Sequence, residues 1–266
     1  KNYKIIQFFD EKMNNVLEKI QGQDETVKSV FDILKSKKMF EELDGMSPNV
    51  FLFIGKTGVG KTFLSELLAE HVYDGKLKKV NGEDYQEKHS VANLRGSPKG
   101  YVDSDKGSDL YEYVKFNPES LICIDEIEKA HPDFYDAFLT ILDKGLITDK
   151  DGIIIDFRKT TIVMTSNVGM KKISQFRPIG IKKKKSPDIS SMTETELKKK
   201  FSPEFLNRID GIYHFNSIES DIDFTLLLNE KFGKIKNFLK KKKIEVNLSE
   251  QTKIDIIEEC QKNGGG

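Results

Sequence analysis

Short, continuous apolar runs alternate along the chain with longer stretches in which apolar residues recur at helical spacing. Three runs have the length of buried strands, namely Val50 to Ile54, Leu121 to Ile124 and Thr161 to Met164. A run that is apolar at nearly every position suits a strand covered on both faces, and a shorter strand is expected to end at Lys79 to Asn81. This alternation predicts an α/β sandwich around a parallel sheet.

Helical spacing dominates residues 1–45, where Gly22 separates two segments that each have one apolar face. The positions expected to face the core are Ile5, Phe8, Phe9, Met13, Val16 and Leu17 in the first segment and Val27, Val30, Phe31 and Leu34 in the second. Residues 171–195 are rich in lysine, serine and proline and are predicted to form an exposed, mobile loop. Residues 218–246 are predicted to be helical. We expect a domain boundary near residue 216, between a large domain (1–216) and a small, mostly helical domain (217–266).

Composition excludes several classes of protein. The 266 residues contain 43 lysines and arginines against 43 aspartates and glutamates, so the formal charge is zero and a general nucleic-acid surface is not expected. No apolar run approaches the roughly 20 residues of a membrane span, and the first residues lack the pattern of a signal peptide. The two cysteines, Cys123 and Cys260, suggest neither a disulfide framework nor a metal cluster. We therefore expect a soluble globular protein without nucleic-acid or membrane partners.

The most specific signal for chemistry is the sequence GKTGVGKT, which satisfies the P-loop pattern G-x-x-x-x-G-K-[ST]. It lies between an expected strand and a segment with helical spacing, which is the order that a phosphate-binding loop requires. Its glycines allow backbone N–H groups to face a phosphate. The lysine is expected to neutralise the β- and γ-oxygens, and the threonine hydroxyl to help hold Mg²⁺. The candidate nucleotide-binding residues are Gly55, Lys56, Thr57, Gly58, Val59, Gly60, Lys61 and Thr62.

Polar residues that follow later apolar runs complete a candidate ATP site. Asp125, at the end of LICID, is placed to orient Mg²⁺, and Glu126 to polarise an attacking water as general base. The alternative is an exposed turn whose acids favour a helix N-terminus. Asn167 is expected to hold the water or the γ-phosphate, or else to be a simple turn residue. Arg208 is a candidate arginine finger for a neighbouring subunit's ATP, or else a surface ion-pair residue.

Together these motifs resemble the second AAA+ module of the Clp unfoldase family, most closely its protease-partnered members. The resemblance rests on strings in the family order: IQGQDETV, FLFIGKTGVGKT, GSPKGYVDSDKG, LICIDEIEKAHPDFYDAFLTILDKGLITD, GIIIDFRKTTIVMTSNVG and FSPEFLNRID. It implies a three-layer P-loop AAA+ fold followed by a small helical domain, with ATP or ADP and Mg²⁺ as cofactors. The residues that match the Walker B, sensor-1 and arginine-finger positions are Asp125, Glu126, Asn167 and Arg208. Ile20 and Gln21 match a segment beside the adenine.

The resemblance also implies a pore loop that grips a polypeptide in transit, formed here by Gly100, Tyr101 and Val102. An aromatic side chain on a loop is large, loses little entropy on binding and does not depend on the partner's sequence. The alternative is a tyrosine packed on its own domain. Asp103 stands where the family usually has a glycine, which leaves the flexibility of this loop in question.

In protease-partnered Clp unfoldases a later loop carries an apolar-glycine-apolar tripeptide that docks into the peptidase ring. Ile179, Gly180 and Ile181 resemble that tripeptide without matching its usual last residue. Two exposed isoleucines in a lysine-rich loop are unfavourable unless something covers them. We expect either a peptidase partner or a loop that folds back onto the domain.

The resemblance therefore implies an ATP-driven unfoldase that works as a homo-hexamer on unfolded or misfolded proteins and feeds a Clp-type peptidase. The alternatives are a disaggregase without a peptidase, and a nucleotide-dependent scaffold or nucleic-acid remodeller, against which the zero net charge argues. The Gly-Ala-Arg triplet of the family's small domain is not found before the final NGGG, so we assign no sensor-2 residue and expect an incomplete small domain. The expected location is intracellular, in a bacterial cytoplasm or a plastid-type organelle such as an apicoplast or chloroplast.

Overall fold

The computed structural model describes residues 2–40, 47–95, 109–149, 151–170, 189–215 and 221–262. The strands are β1 (Asn49–Ile54), β2 (Leu77–Asn81), β3 (Leu121–Asp125), β4 (Leu146–Thr148), β5 (Ile154–Asp156), β6 (Thr161–Ser166) and β7 (Gly211–His214). The helices are α1 (Asn2–Leu17), α2 (Asp24–Met39), α3 (Lys61–Val72), α4 (Lys88–Arg95), α5 (Asp109–Phe116), α6 (Pro132–Lys144), α7 (Ile189–Lys200), α8 (Pro203–Leu206), α9 (Asp221–Lys241) and α10 (Glu250–Lys262). Two 3-10 turns, Gly82–Tyr85 and Ile127–Lys129, follow β2 and β3.

Five strands form one sheet in the order β2-β3-β6-β1-β7, and every neighbouring pair is parallel. The three strands predicted from continuous apolar runs lie side by side at the centre of this sheet and are buried along almost their whole length. The parallel sheet is therefore confirmed. Strand β7 was not predicted, because its four residues lie at the edge of the sheet and include both apolar and polar side chains. The short antiparallel pair β4 and β5 was not predicted either.

Helices cover both faces of the sheet, because successive residues of β1 point to opposite sides. Leu52 and Ile54 pack into one hydrophobic cluster with residues of α4, α5 and α6. Phe51 and Phe53 pack into a second cluster with residues of α1, α2 and α3. This arrangement confirms the three-layer α/β architecture that the family resemblance implies.

The apolar face predicted for α1 is correct except at Phe8, which is 42% exposed. Its neighbour Phe9 enters the core, and the ring centroids of Phe9 and Phe31 are 6.4 Å apart. Phe8 lies on the outer flank, with Lys12 Nζ 5.4 Å from its ring centroid. Consecutive helical residues differ in direction by about 100°, so only one of two adjacent phenylalanines fits a narrow buried face.

The loop predicted at residues 171–195 extends too far, since α7 begins at Ile189. Thr193 and Leu197 of α7 and the following Phe201 are buried and recur every four residues. One face of this segment therefore packs on the domain. Lysine dominates the composition around it, which is why composition alone misplaces the boundary. Residues 171–188 lie outside the described part of the chain.

The helix predicted at residues 218–246 is shorter than expected, because α9 ends at Lys241, and α10 was not predicted. Ile235 and Phe238 on α9 are more than half exposed. The boundary expected near residue 216 falls next to residues 216–220, which are not described, so it stays a prediction. Among the described helices, none combines the length and apolar character needed to cross a membrane.

Candidate nucleotide-binding site

The phosphate loop connects the carboxyl end of β1 to the start of α3. Gly58 and Gly60 have φ angles of 84° and 97°, a backbone region that residues with a Cβ rarely adopt. Gly60 is also the N-cap of α3, which begins at Lys61. The first backbone N–H groups of a helix have no carbonyl partner within the helix. These groups and the helix dipole favour an anion at this position. The local geometry therefore suits the phosphate-binding role predicted from the sequence.

Lys61 is buried and held by three oxygen atoms. Its Nζ donates to the carbonyl oxygens of Gly55 at 2.7 Å and Lys56 at 2.6 Å, and to Asn167 Oδ1 at 2.9 Å. Burial lowers the pKa of Lys61, while the nearby carboxylates of Asp125, Glu128 and Glu126 oppose that shift. The ammonium group is thus fixed at the mouth of the loop, where a phosphate oxygen would compete for it.

Asp125 sits at the end of β3 beside two threonine hydroxyls. Thr62 Oγ1 donates to the carboxylate at 3.2 and 3.3 Å, and Thr165 Oγ1 donates to Asp125 Oδ1. A hydroxyl and a carboxylate at this spacing are the hard oxygen ligands that fit Mg²⁺, which usually binds one or two carboxylates together with phosphate oxygens. No cluster of three or more His, Cys, Asp or Glu side chains that could hold a metal occurs in the described part of the chain.

Glu126 directly follows β3 in an unusual backbone conformation, with φ 51° and ψ 49°. Its N–H donates to Thr165 Oγ1 at 3.0 Å. Gly82 packs so closely against it that a Cβ on Gly82 would lie 2.4 Å from the Glu126 carbonyl oxygen. Left-handed backbone at a residue with a side chain costs energy and is found disproportionately at functional sites. Thr165 and Gly82 therefore hold the candidate base in place, and neither was predicted.

Asn167 links the two halves of the site. Its Oδ1 accepts from Lys61, its Nδ2 donates to Glu126 Oε1 at 3.2 Å, and its backbone N–H donates to Glu128 Oε1 at 3.0 Å. A groove of about 800 Å³ opens beside it and is also lined by Lys56 and Thr57. The structure thus brings together the P-loop, Asp125, Glu126 and Asn167, because β1, β3 and β6 end at the same edge of the sheet.

The segment expected beside the adenine also reaches the phosphate loop. Ile20 is 5% exposed, and its Cδ1 lies 3.7 Å from where a Cβ on Gly60 would stand. Gln21 follows it and is half-buried. From the other side, Phe215 packs against Gly55 and its N–H donates to the Ile54 carbonyl at 2.7 Å. Phe215 was not predicted as part of the site, because only the pairing of β7 with β1 places it there.

Arg208 lies far from the phosphate loop of its own chain. Asp210 donates its N–H to the Val50 carbonyl and accepts the Val50 N–H on Oδ2, both at 2.8 Å. Val50 is at the amino end of β1, and five residues at about 3.3 Å each separate it from Gly55. Arg208 Nε is 3.0 Å from Asp143 Oδ1 on α6. The structure therefore does not bring Arg208 to its own site, and its role toward a neighbouring subunit stays a prediction.

Two predicted loops lie outside the described residues. The pore-loop residues Gly100, Tyr101 and Val102 fall between α4 and α5 in the sequence. The docking tripeptide Ile179 to Ile181 falls between β6 and α7. Both remain predictions from the sequence.

Comparison with known proteins identifies the domain type. A family model described as AAA domain (Cdc48 subfamily) matches residues 47–212. The chain belongs to this AAA family. It is 37% identical over 243 residues to chaperone protein ClpB of Lactococcus lactis subsp. cremoris, covering 91% of this chain and 28% of the relative. It is 41% identical over 215 residues to the ATP-binding subunit ClpC of Staphylococcus saprophyticus, covering 79% and 26%.

Two further similarities agree with this identification. The competence regulator ClpC/MecB of Bacillus subtilis is 35% identical over 254 residues, covering 93% of this chain and 31% of the relative. A closed-state cryo-EM reconstruction of Hsp104 with ATPγS and FITC casein superposes with a TM-score of 0.83 and 26% identity, covering 98% of this chain and 45% of Hsp104. These findings confirm a Clp-type AAA+ ATPase module with the α/β P-loop fold. The chain spans about a quarter to a third of the length of these curated relatives.

Proposed function

We propose that this AAA+ ATPase module uses ATP hydrolysis to unfold and translocate polypeptides as part of a homo-hexameric ring. The observation that carries the proposal is the contact chain from Lys61 through Asn167 to Glu126. It joins a phosphate-binding lysine to a candidate general base at one edge of the sheet. The reconstruction of Hsp104 with casein supports a polypeptide as the class of substrate.

Each residue of the site has a proposed role in hydrolysis. Lys61 binds the β- and γ-phosphate oxygens, and Thr62 with Asp125 would hold Mg²⁺, whose charge offsets the charge that develops on the phosphate. Glu126 accepts a hydrogen bond from the attacking water and takes up its proton on the carboxylate. Asn167 orients that water relative to the γ-phosphate, since phosphoryl transfer depends mostly on positioning.

The location of Arg208, at the opposite end of β1 from the phosphate loop, supports the proposed ring. We propose that this arginine completes the site of the adjacent subunit. Such a contact joins two different surfaces of the same chain, and a contact of this kind forms a closed ring when the rotation between subunits closes. The ion pair with Asp143 would then exchange for the phosphate of the neighbour.

The finer parts of the proposal concern the substrate path and the partner. Tyr101 is proposed to grip the polypeptide, and residues 179–181 to dock on a Clp-type peptidase ring. The name ClpC among the relatives supports a peptidase partner, and the name ClpB supports the alternative of a disaggregase without one.

We also propose a helical domain that begins near residue 216. The named relatives are bacterial, which supports a bacterial cytoplasmic location, and none of them supports a plastid-type organelle.

The test is ATP turnover by the full-length protein with and without casein, for the wild type and for the variants Glu126→Gln and Tyr101→Ala. We expect Glu126→Gln to bind ATP without turning it over, and Tyr101→Ala to hydrolyse ATP without unfolding a folded reporter protein. Unimpaired unfolding by Tyr101→Ala would remove the pore assignment and leave the ATPase alone. Deletion of residues 179–181 separates the two family alternatives, because only peptidase-coupled degradation should depend on them.

A further inference from the structure

Lys129 forms ion pairs with two carboxylates at once. Its Nζ is 2.7 Å from Glu126 Oε2, and it also donates to Glu83 Oε1. These hydrogen bonds raise the pKa of Lys129, the one to Glu126 more than the one to Glu83. The candidate base therefore shares its cation with an acid on a different element of the fold.

The backbone fixes this arrangement. Lys129 is the third residue after Glu126, and its N–H donates to the Glu126 carbonyl at 2.9 Å, so the 3-10 turn places the ammonium beside the carboxylate. Glu83 lies in the other 3-10 turn, where its N–H donates to Asn81 Oδ1 at 3.1 Å. The two turns pack against each other, with Gly82 in close contact with Glu126. The three charged groups thus meet through local hydrogen bonds and close packing.

The pairing affects the chemistry expected of Glu126. One carboxylate oxygen accepts from Asn167 and the other from Lys129. Both carboxylate oxygens of Glu126 therefore already have a hydrogen-bond donor within 3.2 Å. In this arrangement the lysine competes directly with the attacking water for the base.

We propose that Lys129 is a positioning residue that restrains Glu126, and that Glu83 weakens the restraint by binding the same ammonium group. This inference rests on the proposed role of Glu126 as general base.

The first test is steady-state ATP hydrolysis by the full-length protein carrying Lys129→Met. We expect kcat without polypeptide to rise roughly two- to fivefold, as for the loss of one partly exposed ion pair, with KM for ATP unchanged. Lys129→Arg should restore values near the wild type. The control is Lys88→Met, which removes an exposed lysine of α4 that pairs with Asp133 at 3.3 Å, and it should change neither value.

The second test is Glu83→Gln, which removes the carboxylate that competes with Glu126 for Lys129. Basal kcat should fall roughly twofold in the wild-type background and should not change in the Lys129→Met background. A decrease of kcat in Lys129→Met, or equal effects of Glu83→Gln in both backgrounds, would overturn the proposal. Failure of the proposed function is distinguishable, because Glu126→Gln would then retain turnover whatever Lys129 does. Lys129 is 37% exposed, and Lys129→Gln provides a second variant if Lys129→Met does not fold.

Discussion

Replacement of Thr165 by valine tests whether a buried hydroxyl holds the two acids that end β3. Thr165 is fully buried; its Oγ1 donates to Asp125 and accepts the Glu126 N–H at 3.0 Å. Valine preserves the shape and removes both hydrogen bonds. A hydrogen bond to a charged group contributes about 1.5–3 kcal/mol, and a buried N–H left without a partner costs about 1–3 kcal/mol. Because Asp125 keeps the Thr62 hydroxyl, we expect the lower part of the summed range, a loss of roughly 2.5–4 kcal/mol in the free energy of unfolding.

The same change should displace Glu126 and lower kcat roughly tenfold to a hundredfold. The free energy of unfolding is measured by urea denaturation followed by circular dichroism, and kcat at saturating ATP. Thr160→Val is the matched control, since Thr160 is equally buried but makes a neutral hydrogen bond to the Phe157 carbonyl at 2.7 Å, before the start of β6. It should cost about 1 kcal/mol and leave kcat unchanged. Equal effects of the two variants on stability and on kcat would refute the reasoning.

Three further predictions concern the core, the subunit contact and the buried thiol. Phe31→Ala should lower the free energy of unfolding by about 3–5 kcal/mol, since Phe31 is 1% exposed. Phe8→Ala should lower it far less, because Phe8 is exposed. Similar losses for the two variants in urea denaturation would contradict this. Rings of Arg208→Ala or Glu126→Gln alone should be inactive, whereas mixed rings should regain ATP turnover; no recovery would argue against action in trans. Burial raises the pKa of Cys123 to about 12. The native protein should therefore resist alkylation at pH 8, and its free energy of unfolding should fall from pH 9 toward pH 12 relative to that of Cys123→Ala. Rapid labelling of the native protein would refute this.

Those parts of the site that depend on single strands could be predicted from the sequence. The P-loop, Asp125 and Asn167 each follow an apolar run, and the carboxyl ends of parallel strands meet at one edge of the sheet. Their meeting therefore required no knowledge of strand order. Phe215 is different, because its contact with Gly55 depends on the pairing of a short edge strand that composition does not reveal.

The contacts around Glu126 could not be predicted for a related reason. Lys129 is close in sequence, but a lysine three residues after an acid is a common surface pair on many turns. Glu83 is distant in sequence and reaches Lys129 only because β2 pairs with β3 and both continue into 3-10 turns. Thr165 is hidden within the apolar pattern of β6, where its hydroxyl has no periodic signature.

The packing of Phe215 against the phosphate loop limits how far the C-terminal helices can move. Phe215 is anchored by its hydrogen bond to Ile54, and α9 begins six residues later at Asp221. A fully extended chain of that length spans only about 20 Å. The start of α9 therefore stays within about 20 Å of Phe215, which contacts the phosphate loop. Its effective concentration at the phosphate loop is of the order of that set by a short linker, in the millimolar range. A contact between this helix and a nucleotide bound at the loop would therefore need little intrinsic affinity.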